Sequence, residues 1–274
     1  MKILIKALFI ALPAILPICN PLFADSDGGV VFDHSLYAKV LQRYVVDGGV
    51  NYQELKQHRG ELDDYVRVLE GLSLEDYARM SQNEKMAFWV NAYNAITLQV
   101  IIDHYPLKRR GLSGLAFPSN SIRQIPGVWD DITRRILGKE TALNEIEHQI
   151  LRKEFKEPRV HFALVCASIG CPKLREEPYV ADRLEEQLDG QVRAFMSDPE
   201  KAQYEQEGDV LYLSPIFKWF ADDFKAAGGR IAFVRKYFPK EKSAFLLDQT
   251  KIKWLDYDWS LNEIQRNPEG MSGG

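Results

Sequence analysis

The chain has 274 residues, 46% of them apolar, and a net charge of −4 from 35 basic and 39 acidic side chains. That length can bury one large core or two small ones, and no low-complexity linker, charge block or internal repeat divides it. The acidic balance argues against nonspecific nucleic-acid binding, which needs a basic face.

The opening stretch, MKILIKALFIALPAILPICNPLFA, carries Lys2 and Lys6, an apolar run over 7–18, and the small residue Ala24 before Asp25. This is the build of a secretory signal peptide, too short and too proline-interrupted to span a bilayer comfortably. Cys19 suggests a lipid anchor, but Pro17 and Ile18 ahead of it are not the small residues such signals prefer. Removing 1–24 takes away two positive charges and no acid, which leaves −6. No later stretch approaches the roughly 18 apolar residues of a membrane helix. The expectation is a signal peptide over 1–24, a single globular domain over 25–265 and a flexible tail over 266–274. The mature protein would be periplasmic or secreted, with no membrane span after signal removal.

Leu36, Val40, Leu41 and Tyr44 fall at helical spacing, and Asp47-Gly48-Gly49 then turns the chain into a short extended segment at 50–52. A second amphipathic helix is read over 55–72, with Leu62, Tyr65, Val66 and Leu69 on its apolar stripe. Ser81 with Glu84 three residues on is a capping-box signature, and Pro106 ends the helix that follows it. That helix is apolar on every side, which predicts burial. Asn91 and Asn94 are then amides inside the core that must find hydrogen-bond partners. They either tie down a neighbouring loop or bind substrate, orienting a catalytic group or polarising a carbonyl.

The segment SNSIRQIPGVWDD reads as a lid or a binding-site wall, and 141–155 as a helix capped by Asn144. A strand is expected over 160–166, an amphipathic helix over 181–196, a short strand over 210–213, helices over 215–224 and 229–238, and a half-buried strand over 252–259. Helices outnumber strands, and the strands lie mostly in the second half. The pattern predicts an α+β fold with helices packed on a small, mostly antiparallel sheet.

The chemistry concentrates in HFALVCASIGCPKL, residues 161–174. If 160–166 is a strand, Cys166 points to the core with Val160, Phe162 and Leu164. Cys171 would lie past the strand end between Gly170 and Pro172, near exposed backbone amides, where a nucleophile should sit. A nucleophilic cysteine needs a histidine that favours the thiolate and a third group that orients the histidine. His148 and His161 are the candidates for base, and Glu147 for the orienting carboxylate. Cys166 and Cys171 are equally placed to form a local disulfide in an oxidising compartment. A Cys2His2 zinc set from Cys166, Cys171, His161 and His148 has cysteine spacing at the edge of the usual range, so no metal or other cofactor is called for.

FWVNAYNAITLQVII, LNEIEHQILR, RVHFALVCASIGCPKL and YDWSLN together resemble the domain-of-unknown-function 547 family, over roughly residues 30–263. The resemblance implies a papain-like cysteine-hydrolase arrangement with rearranged chain order, in which Cys171, His161 and the Glu147-His148 pair occupy the matching positions. Two readings follow. In the first, Cys171 attacks an amide or peptide bond of a small peptide or cell-envelope substrate. His161 or His148 moves the proton, Glu147 holds the imidazole, and amides near Gly170 or Asn94 stabilise the oxyanion. In the second, the chain is a noncatalytic periplasmic module that binds a small peptide, thiol-peptide or other small ligand, with Cys166 and Cys171 disulfide-bonded. A thiol–disulfide oxidoreductase is weaker, because the spacing is not Cys-x-x-Cys. Under either main reading Trp89, Trp129, Trp219, Trp254 and Trp259 supply aromatic walls or core.

Overall fold

The computed structural model describes residues 22–24, 29–111 and 113–264. Most of the expected signal peptide and the whole expected tail lie outside the described residues; its last three, Leu22–Ala24, pair antiparallel with Val30–Phe32. Among the described residues no helix is long and apolar enough to cross a membrane.

The helix Gln82–His104 organises the larger of two cores. Its start is the anticipated cap: Ser81 Oγ accepts from the Glu84 N–H at 3.1 Å. Every residue over 86–102 is buried, as an apolar pattern without a polar face requires. Tyr52–Gln57 and Gly60–Glu70 pack against it, and Ser35–Tyr44 packs against those two. The expected helix over 55–72 is therefore two helices. Asn51 caps the first, its Oδ1 accepting from the Glu54 N–H at 3.2 Å, and the second buries Leu62, Tyr65, Val66 and Leu69 as the stripe predicts. A short helix not anticipated, Leu74–Arg79, starts on Ser73, whose hydroxyl accepts from the Asp76 N–H.

The second core gathers around Phe162, with Phe195, Phe217, Phe224 and Phe233 packed ring to ring. Its helices are Leu184–Ser197, Ile216–Trp219, Ala221–Ala226 and Arg230–Tyr237. Its sheet runs Ala202–Glu205, Val210–Leu213, Lys251–Trp254. The first pair is antiparallel with Ala202 opposite Leu213, and the second is parallel with Val210 opposite Lys251. The remaining strand pairs are two-stranded and antiparallel. The fold is thus α+β with small, mostly antiparallel sheets.

Two expectations are corrected here. The apolar run over 160–166 is not a strand. Pro158–Phe162 forms a 3-10 helix, with the Glu157 side chain accepting from the Arg159 N–H and Pro158 in the first turn. A short apolar run satisfies a buried helical turn as well as a strand, and periodicity alone does not separate them. Nor is the arrangement papain-like: the buried helix carries no cysteine, and both cysteines sit in the irregular loop that follows Phe162.

Candidate functional site

A cavity of about 660 Å³ opens where the two cores meet. Tyr93 and Leu164 line it from one core, and Ile216 and Phe220 from the other. Three segments distant in sequence supply its aromatic wall. Trp259 lies edge-on to Phe117 and Trp129, with centroids at 6.0 and 6.4 Å, and is stacked on Trp219 at 5.9 Å. Tyr257 continues the wall, 4.6 Å from Trp259. The SNSIRQIPGVWDD segment contributes Arg123, Trp129 and Asp130 and so forms a wall of the cavity. Trp89 is buried elsewhere, its indole N–H donating to Tyr77 at 2.8 Å, and Trp254 lies at the surface beneath Arg230.

The floor holds the cysteines. Cys166 and Cys171 form a disulfide, so neither is a nucleophile, and the cysteine-hydrolase reading falls with that bond. The burial is also the reverse of the expectation: Cys171 is buried and Cys166 is half-buried. The loop between them lies against the chain near its C-terminal end. The Ile169 N–H donates to Ser260 O at 2.8 Å and the Gly170 N–H to Asp258 O at 2.7 Å. The Gly170 amide is therefore already occupied and offers nothing to an oxyanion. Glycine is required there because a Cβ would come within 2.7 Å of the Tyr257 ring and 2.9 Å of Asp258 O. The Tyr257 hydroxyl donates towards Cys171 Sγ at 3.1 Å.

A chain of titratable groups forms the opposite side. The segment 141–155 is not one regular helix: it is a strand end, a short turn, and a wide π-helix over Ile146–Phe155, a winding often found at functional sites. Asn144 does not cap it; the Asn144 amide donates to Asp130 at 2.6 Å. Glu147 and His148 both reach the cavity. The Tyr93 hydroxyl donates to Glu147 Oε2 at 3.3 Å. Burial pushes the Glu147 carboxyl up to about 7, with Arg152 and the Tyr93 bond opposing the shift and Asp223 reinforcing it. The residue itself is half-buried and lines the cavity.

Glu147 does not orient His161; Asp223 does. His161 Nε2 donates to Asp223 Oδ2 at 2.7 Å, and the ring stacks on Phe220 with centroids 3.8 Å apart. Arg152 forks onto the same carboxylate, from Nε at 2.6 Å and Nη2 at 3.1 Å, and Nη1 donates to His148 Nδ1 at 3.0 Å. The hydrogen bond from His161 and the Arg152 fork hold Asp223 below the usual carboxylate range against its partial burial. Burial lowers His161, and the hydrogen bond to Asp223 opposes the shift. His148 is lowered by burial and by Arg152. With its side chain only 1% exposed and Nε2 committed to Asp223, His161 leaves Nδ1 buried without a partner. It belongs to a residue of the cavity wall.

The two asparagines are fully used by backbone. Asn91 Nδ2 donates to Tyr179 O and its Oδ1 accepts from the Tyr179 N–H, at 2.8 and 2.9 Å. Asn94 does the same for Ala163 O and the Val165 N–H, both at 2.9 Å. They pin the segments on either side of the disulfide, and neither lines the cavity. Asn94 is thus a scaffold for the loop that carries the cysteines.

The zinc set does not assemble, since both sulfurs are in the disulfide; among the described residues no group of three or more His, Cys, Asp or Glu is placed to hold a metal ion. The structure brings together Cys171, His161, Glu147 and His148 on one cavity. Sequence reasoning missed Arg123, Arg152, Asp223 and Tyr93. Asp223 lies 62 residues from His161, in a run of ordinary polar helix residues that gives no local signal.

Residues 77–196 match the family model described as "Protein of unknown function, DUF547". That span includes the central helix, Arg123, Glu147, His148, His161 and the disulfide. Asp223 and the wall residues Trp219, Phe220, Tyr257 and Trp259 lie beyond it. No curated protein and no solved structure matches the chain.

Proposed function

We propose that this chain is an exported binding module whose cavity holds a small peptide or peptide-like ligand without a covalent step. The observation that carries the reading is the cavity itself. At about 660 Å³ it falls within the roughly 300–1,000 Å³ of small-ligand sites, and its make-up, aromatic walls with a few converging polar groups, is what such sites have. The disulfide at its floor supports a structural role for the cysteines and agrees with an oxidising compartment. The signal-peptide pattern at 1–24 supports export.

The test is a mixed tripeptide library offered to the purified protein under native mass spectrometry, with retained peptides then titrated by tryptophan fluorescence. Trp129, Trp219 and Trp259 line the cavity, so occupancy should change the emission saturably. A library from which nothing is retained refutes the reading.

A further inference from the structure

Arg123 is a cation held in place without a counter-ion. Its guanidinium carbon lies 4.4 Å from the Phe117 centroid, 5.2 Å from Trp129 and 5.1 Å from Trp259. Three rings around one guanidinium hold it by cation–π attraction and restrict its rotamers. No carboxylate within the described residues is paired with it, and the influence that acts on its charge is partial burial, which lowers it. The neighbouring acid, Asp130, is engaged by the Asn144 amide instead. Arg59, Arg67, Arg175, Arg183 and Arg235, by contrast, each reach a carboxylate. Arg123 is exposed at the cavity mouth, and its five donors are left for something that enters.

The second observation is independent of the first. His161 Nδ1 is a buried nitrogen without a hydrogen-bond partner, on a residue lining the same cavity. A buried polar atom left unsatisfied is unfavourable. Glu147 belongs to the same lining and is a further acceptor once ionised.

We infer that the cavity selects ligands bearing a carboxylate, held by the Arg123 fork at the mouth. A guanidinium matches a carboxylate in a planar two-bond pair. The aromatic wall beside it accommodates an apolar body. Amino acids and short peptides with a free C-terminus have this chemistry. The inference rests on the binding reading above and specifies the ligand class of that site.

The tripeptide library, prepared once as free acids and once as C-terminal amides, separates the two. The expected result is retention of the acids, with affinity falling about tenfold to a hundredfold for the amides. Arg123→Gln should weaken acids by the same factor and leave amides unchanged, and Arg123→Lys should recover part of the loss, since charge returns without the fork. Acids and amides retained equally by the native protein, or acids indifferent to Arg123→Gln, would overturn the carboxylate inference while the binding reading stands. Neither library retained would remove both. The side chain is exposed at the rim, so both variants should fold, and matching thermal unfolding midpoints would verify it.

Discussion

Replacing Glu147 by glutamine tests whether the cavity holds this carboxyl in an unfavourable charge state. Its environment comprises Tyr93, Arg152 and Asp223, with Tyr257 also sensing its charge, and His148 and Asp130 in the same lining. Moving a carboxyl from 4.5 to about 7 makes its ionised form about 3 kcal/mol less favourable in the folded than in the unfolded chain. Water in the cavity screens part of that, so about 2 kcal/mol is the expected share. Below pH 4.5 the group is protonated in both states and contributes nothing. Between 4.5 and 7 the unfolded chain releases its proton first, and the folded state loses stability as pH rises; above 7 the loss is complete. Urea unfolding of the native protein and the Glu147→Gln variant should differ by less than about 1 kcal/mol at pH 5, with the variant more stable by about 2 kcal/mol at pH 8.5. A difference that stays constant from pH 5 to 8.5, or one that shrinks, would refute the reasoning.

Asp223→Ala removes the partner of both His161 Nε2 and the Arg152 fork. It should destabilise by about 2–3 kcal/mol at neutral pH in urea unfolding. Because Asp223 is depressed when folded, its contribution exists above the unfolded carboxylate range and is lost in acid, so the gap between the proteins should narrow as pH falls. Asn94→Ala orphans Ala163 O and the Val165 N–H and should lower stability by about 2–4 kcal/mol; a loss under about 0.5 kcal/mol would mean that water replaces the amide. In the native, unreduced protein, Cys166 and Cys171 should resist iodoacetamide until reductant is added and then react together in peptide mapping. Changing both to serine should reduce stability by about 2 kcal/mol, the chain-entropy value for so short a loop, and labelling of either cysteine without reductant would contradict the disulfide.

Short-range physics made part of this protein legible from its residues alone. The start of the central helix follows from Ser81 and Glu84, its burial from an unbroken apolar surface, and the buried stripe of Gly60–Glu70 from the spacing of Leu62, Tyr65, Val66 and Leu69. The grouping of Cys171, His161, Glu147 and His148 was legible too, because those residue types are scarce and cluster within 25 positions. Their roles were not. Whether 160–166 is a strand or a helical turn depends on what packs against it, and here Asn94 from the central helix captures the backbone on both sides of Leu164. The partner of His161 is Asp223, the cage of Arg123 needs Phe117, Trp129 and Trp259 together, and the cysteine loop is pinned by residues near 258–262. Each of these pairings joins segments whose local sequence carries no trace of the other. A hydrogen bond or ring contact across such a separation forms only after two cores have packed and closed a cavity between them. Tertiary structure alone therefore decided that the cysteines are a staple, that the histidine faces an aspartate, and that an arginine is caged by three rings at the mouth.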